Sequence, residues 1–274
     1  RLTAAAARRL APRASSSESS VRVPGVTTVT DASGEPMAWI FKQRRYEVPS
    51  EAISQYAKDA LVSTEDRRFF QHEGVDMQGF ARAMVTNVLA GGVEQGASTI
   101  NQQYVKNYLW LVDAENEEEA NAATEQSIPR KLREMRMASD LDKTLKKDEV
   151  LTRYLNLVSF GNHAFGIEAA ARTYFDTSAR ELNPAQAALL VGILQSVEGL
   201  NPYTNPQGAL DRRNLVLDTM IENLPDQADA LRAAARDAQP DRRRRGRQGR
   251  RGAGRGLAHR LRRPARRARG EELR

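Results

Sequence analysis

Glu65-Asp66-Arg67-Arg68-Phe69-Phe70-Gln71-His72-Glu73-Gly74, an apolar stretch, and then Gly96-Ala97-Ser98-Thr99-Ile100-Asn101-Gln102-Gln103 decide how this chain is read. Two adjacent carboxylates precede a glycine-bearing loop that opens a helix with two glutamines. A carboxylate within reach of a sugar hydroxyl takes its proton as a general base. Asp66 beside Glu65 either favours that uptake by like-charge repulsion or orients a neighbour. Phe69 and His72 stand at i+4 and i+7 from Glu65, which on a continuing helix puts them on the Glu65 face. Thr99 and Gln102 have capping-box spacing, so a helix starts near Ile100. Free N–H groups at that start favour an anion such as pyrophosphate. Ser98 and Thr99 add hydroxyls there, Gln102 and Gln103 add amides, and Lys106 adds a cation about one turn on. The combination points to chemistry on a bulky, phosphate-linked polar substrate.

A further cluster, Arg130-Lys131-Leu132-Arg133-Glu134, brings three cations and another carboxylate. Arg130 and Glu134 at i,i+4 staple a helix surface, or the cations neutralise a departing diphosphate. Singly, each motif has a plainer reading: a surface ion-pair patch, a capped helix, a helix staple. Together, in this order, they favour a site. The carboxylates from Asp113 to Glu119 are spaced like a calcium loop, but Glu118 stands where that loop requires glycine. A solvated acidic loop is expected, and no metal site.

Outward from these motifs the pattern is mostly helical. Val26–Val29 and Met37–Phe41 read as two strands joined across Asp31-Ala32-Ser33-Gly34. Ile53, Tyr56, Ala57, Ala60 and Leu61 recur at helical spacing behind Ser50 as N-cap. Phe80 to Leu89 is an amphipathic apolar segment. Ser127 and Pro129 start one helix, Val150 to Val158 marks another, and Asn183-Pro184 with Gln186 caps the apolar run Ala187–Leu194. Pro206 opens the last, through Leu224.

The 274 residues contain no cysteine, which excludes disulfides, thiolate metal sites and cysteine nucleophiles. The net charge of +7 misleads, because residues 241–274 hold 15 of the arginines against 3 acidic residues. The rest of the chain is mildly acidic, and all seven lysines precede that segment. Residues 1–25 read as a disordered segment, 26–239 as the folded unit, and 240–274 as an Arg-rich low-complexity tail. The switch to arginine without lysine also fits an out-of-frame reading of a GC-rich gene.

The order of the motifs is similar to that of the peptidoglycan glycosyltransferases, the polymerising domains of class A penicillin-binding proteins and monofunctional transglycosylases. Glu65-Asp-x-x-Phe69-x-x-His72-x-Gly74, Gly96-Ala-Ser98-Thr99-Ile-Asn-Gln102-Gln103 and Arg130-Lys131-x-x-Glu134 match the first three motifs. Tyr154-Leu155-Asn156-x-x-x-Phe160-Gly161, continuing to Gly166, Ala170 and Tyr174-Phe175, resembles the fourth, and Arg212-x-x-x-Val216-Leu217 the fifth. The likeness spans residues 26–224. It implies a mainly α, lysozyme-like, two-lobed glycosyltransferase fold with a small N-terminal β-hairpin, and a membrane-dipping jaw around Phe80–Leu89.

The resemblance implies polymerisation of lipid II into glycan strands, with inversion at MurNAc C1 and release of undecaprenyl diphosphate. Glu65 is then the general base, Glu134 supports the donor side, and Asp66 assists or positions. Substrate binding falls to Ser98, Thr99, Gln102, Gln103, Lys106, Asn107, Arg130, Lys131, Phe69, His72 and Arg212. Gly74, Gly96 and Gly161 are backbone requirements. No cofactor is obligatory, with Mg2+ or Mn2+ at the diphosphate as an optional assistant. Lipid II, lipid-linked glycan, a membrane surface and the cell-wall synthesis machinery are the implied partners; nucleic acid is not. The implied location is the outer face of the bacterial plasma membrane. The stretch has no Ser-x-x-Lys or Lys-Thr-Gly, and neither the transpeptidase half nor the membrane anchor is expected in it, as though cut or frameshifted after about Gln239. Asn101 replaces a common threonine, and the acidic insertion from Trp110 to Gln126 is long. Two other readings compete: a lysozyme-like hydrolase with Glu65 as general acid, and a non-catalytic module docking through the Arg-rich tail.

Overall fold

A computed structural model describes residues 27–34, 36–40, 43–90 and 98–237. Ten α-helices lie among the described residues: α1 (Gln55–Glu65), α2 (Met77–Ala90), α3 (Ile100–Tyr108), α4 (Glu117–Thr124), α5 (Ile128–Thr144), α6 (Lys147–Leu157), α7 (Ile167–Phe175), α8 (Pro184–Ile193), α9 (Pro206–Asn223) and α10 (Ala228–Asp237). Strands β1 (Thr27–Thr30) and β2 (Pro36–Ile40) pair antiparallel with Thr27 opposite Ile40. A second, two-residue pairing joins β3 (Arg44–Arg45) in parallel to β4 (Ala164–Phe165). The fold is mainly α, as the periodicity predicts.

The interior is built around α8. Asn183 and Gln186 cap its start reciprocally, and Pro184 fills the first position, where a missing N–H costs nothing. Every residue from Ala185 to Ile193 is buried. A helix apolar on all faces is stable only inside a protein, and α1, α9 and α10 pack around this one. At Gly192 an added Cβ would lie 3.1 Å from Arg212 Cγ, so the missing side chain admits α9 closely. The C-terminal helices also hold α1 directly. Asn223 Nδ2 donates to the Ser63 carbonyl at 3.3 Å, and Gln227 Nε2 donates to Asp59 Oδ2 at 3.1 Å. On the other side α3 packs against α5 and α6, and its buried residues continue the same core.

Three local expectations differ from the structure. Ser50 does not cap α1: it opens a 3-10 turn, accepting from Lys58 Nζ at 2.5 Å and donating to Asp148 Oδ2, while Ser54 takes the N-cap position. The acidic loop is partly the helix α4, with Asn116 as cap and Glu117, Glu118 and Glu119 in its first turn. Negative charge there is favoured by the helix dipole. The helix through Gln103 keeps α geometry to Tyr108 and runs on as a wider turn, Leu109–Asp113. Finally, α10 follows the helix expected to be last, its buried Leu231 joining the core. No helix among the described residues is long and apolar enough to cross a membrane.

Candidate active site

Helix α1 stops at Glu65 because Asp66 leaves helical conformation, at φ −158°. The chain then folds back, so Phe69 and His72 do not continue on the Glu65 face. Phe69 is fully buried, edge-on to His72, with the Lys147 ammonium 4.8 Å above its ring. The buried Asp66 carboxylate accepts from His72 Nε2 at 2.9 and 3.0 Å and from the Ile100 N–H at 3.1 Å. Asp66 thus occupies the positive end of α3 and ties the end of α1 to it.

This corrects the sequence expectation for the helix start. The anion at the first turn of α3 is Asp66 itself. Thr99 Oγ1 accepts from the Gln102 N–H at 3.3 Å and donates to the Gly74 carbonyl at 2.7 Å, and Gln102 Oε1 accepts from the Thr99 N–H at 2.9 Å. Thr99 and Gln102 are 3% and 2% exposed, so both side chains hold the loop and cannot face a substrate. Phe69 and His72 are likewise turned inward, leaving neither available for binding. Gly74 adopts φ +82°, and an added Cβ would lie 2.4 Å from the Ala138 carbonyl oxygen, so the backbone requirement there is real. Gly161 also has positive φ, at +78°, and Gly96 lies outside the described residues.

The remaining candidate side chains surround α3 in two groups. In the first, Gln103 Nε2 donates to Glu65 Oε2 at 2.8 Å, and the Tyr154 hydroxyl of α6 donates to Gln103 Oε1 at 2.8 Å. Burial holds that hydroxyl well above its ordinary pKa, and the charge of Glu65 pushes the same way. Arg212 reaches the field of Glu65 from α9. Burial lowers its guanidinium pKa, the Glu65 charge opposes the drop, and its Nε has no hydrogen-bond partner among the described residues. In the second group, Glu134 is 4% exposed and accepts from Arg130 Nη1 at 2.5 Å and from Lys131 Nζ at 2.6 Å. Lys131 Nζ also donates to Ser98 Oγ at 2.7 Å, just ahead of α3. Lys106 is exposed on α3, and Asn107 Nδ2 donates to the Gln103 carbonyl at 2.8 Å.

Two cations around one carboxylate, with Lys106 on the neighbouring helix, leave an excess of positive charge suited to an oxyanion. The same geometry does not fit a protein-held Mg2+ or Mn2+. Both Glu134 oxygens are engaged by cations, and no cluster of three or more candidate ligands lies among the described residues. Sequence reasoning placed Tyr154 within the fourth motif without giving it a role. Its apolar neighbours at helical spacing read as core, and only the fold shows the hydroxyl aimed at Gln103.

The model of the family described as "Transglycosylase" matches residues 33–221. Penicillin-binding protein 1A of Mycolicibacterium smegmatis is 37% identical over 221 residues, 80% of this chain and 26% of that protein. The proteins of the same name from Neisseria flavescens and Aquifex aeolicus are 36% and 37% identical over 71% and 73% of this chain. The crystal structure of penicillin-binding protein 1A from Haemophilus influenzae aligns with a TM-score of 0.41 and 19% identity, over 79% of this chain and 21% of that one. The chain thus spans about a quarter of the length of these relatives. With the family matched over most of its length, the chain belongs to the transglycosylases, the peptidoglycan glycosyltransferases of class A penicillin-binding proteins.

Proposed function

We propose that this chain polymerises lipid II by a single inverting displacement with Glu65 as general base. The observation that carries the reading is the division of labour around α3. One carboxylate is held through a single oxygen by a neutral amide, and a second is locked between two cations. The first kind of carboxylate accepts a proton; the second kind fixes an anion-binding surface. Glu65 removes the proton from the 4-hydroxyl of the acceptor GlcNAc, whose oxygen attacks C1 of the donor MurNAc. The C1–O bond to phosphate breaks on the opposite face, and undecaprenyl diphosphate departs with the electron pair. Arg130, Lys131 and Lys106 stabilise the charge developing on that diphosphate. Ser98 and Asn107 border the donor, and Arg212 lies on the Glu65 side.

A retaining hydrolase needs a second carboxylate free to act as nucleophile. Glu134, spanned by Arg130 and Lys131, is not one. The exposed apolar residues Met77, Val85 and Leu89 of α2 rest on the membrane surface in this reading, at the outer face of the plasma membrane. The folded unit is 26–239, and assembly partners come from the cell-wall synthesis machinery.

The test is polymerisation of labelled lipid II in detergent by the parent and by Glu65→Gln. Loss of a general base lowers turnover by about 10²–10⁴-fold, so long glycan is expected from the parent alone, with both proteins equally folded. Equal glycan from Glu65→Gln removes Glu65 as the base. Release of muropeptides from purified sacculi would instead establish a hydrolase.

A further inference from the structure

We propose that Tyr154 is a positioning residue for the Glu65 base and acts through Gln103; this rests on the reading of Glu65 above. The three side chains form one directed hydrogen-bond chain, from the Tyr154 hydroxyl to Gln103 Oε1 and from Gln103 Nε2 to Glu65 Oε2, each bond 2.8 Å. An ionised carboxylate only accepts, an amide has one donating and one accepting end, and a phenol does either. With Glu65 ionised, Gln103 presents its NH2 group to the carboxylate, and its carbonyl must find a donor elsewhere. Tyr154 is that donor. Bonds aligned head to tail in this way polarise one another.

The anchor is rigid where the residue it holds is not. Tyr154 is 2% exposed within the core of α6, packed against α3, whereas Gln103 is only half-buried at the edge of the site. A half-buried glutamine explores several rotamers unless both ends of its amide are held. Without the phenol, its carbonyl would face an apolar ring and turn toward water, carrying the NH2 group away from Glu65. The base would then be present but loosely aimed, which costs rate more than substrate affinity. Tyr154 touches no substrate in this arrangement.

Three full-length variants test this: Tyr154→Phe, Gln103→Leu and the double variant. Tyr174→Phe serves as control, since it removes a buried hydroxyl that donates to the Phe160 carbonyl and accepts from Asn162 Nδ2, outside the Tyr154–Gln103–Glu65 chain. Expected for Tyr154→Phe is a fall in kcat of about tenfold or more with KM for lipid II within about twofold, the signature of an interaction used only in the transition state. In the Gln103→Leu background the same change should do nothing further, because the two residues act as one unit. The control should keep kcat. Equal losses in Tyr154→Phe and Tyr174→Phe, or additive losses in the double variant, overturn the proposal.

A second readout does not need turnover. The side-chain amide 15N–1H pair of Gln103, assigned by its disappearance in Gln103→Leu, should shift in Tyr154→Phe and stay in place in Tyr174→Phe. An unmoved resonance overturns the proposal whatever the kinetics. A folded parent that makes no glycan overturns the proposed function instead, while the resonance still decides whether Tyr154 holds Gln103.

Discussion

At the scale of single residues the most demanding group is Glu134, buried between Arg130 and Lys131. Glu134→Gln keeps the shape but removes the charge that both cations face. Because Arg130 and Lys131 are partly in water, at 18% and 30% side-chain exposure, the loss is below that of a fully buried pair. About 1–3 kcal/mol is expected, as for charge-assisted hydrogen bonds. Thermal unfolding should register that loss, and lipid II turnover should fall with it; a variant of parental stability and rate would remove Glu134 from both roles. The sequence makes Glu65, Gln103, Lys131 and Glu134 stand out by motif order alone, which needs no coordinates. It misassigned Thr99, Gln102, Phe69 and His72, because a motif residue that builds a loop reads the same as one that binds a ligand. Burial separates the two, and burial is a property of the fold.

At the scale of elements, the loop between α1 and α2, which Thr99 ties to the start of α3, depends on one backbone conformation. Gly74 adopts positive φ beneath the Ala138 carbonyl, while its own carbonyl accepts from Thr99. Gly74→Ala combines a strained φ with a steric clash, and a loss of about 2 kcal/mol or more is expected. Urea unfolding checks the loss, and turnover should drop more than in a core variant of equal stability, since α3 carries Gln103. Parental turnover at reduced stability would show that the loop does not aim α3. Caps were the most legible feature of the elements. Ser127, Thr99 and Asn183 all start helices where expected, because each satisfies otherwise unpaired N–H groups locally. Ser50 failed because its hydroxyl is taken by Lys58 of α1 and by Asp148, a partner 98 positions away in the chain.

At the scale of the whole molecule, α2 presents large apolar side chains to solvent, with Leu89 82% and Val85 59% exposed. Apolar area of this size rests on lipid in the proposed function, so the paired change Val85→Glu and Leu89→Glu should weaken co-sedimentation with anionic vesicles by about tenfold or more. Its melting temperature should hold, because neither side chain is buried. Unchanged vesicle binding would remove α2 as the membrane contact. The mainly α architecture was legible because period and caps are local signals, and α10 carried the same signal in its Ala-rich amphipathic run, whereas the β3–β4 pairing is set by distant partners. That distance bears on how the protein is made. Helix α1 carries Glu65, yet it is held by Asn223 and Gln227 through contacts 160 and 168 positions apart in the chain. As the polypeptide leaves the ribosome or translocon, Glu65 emerges well before the groups that hold its helix. In the proposed function, a nascent chain halted before α9 has most of its motifs but lacks these contacts to α1, so activity should begin only once α9 and the turn after it have emerged.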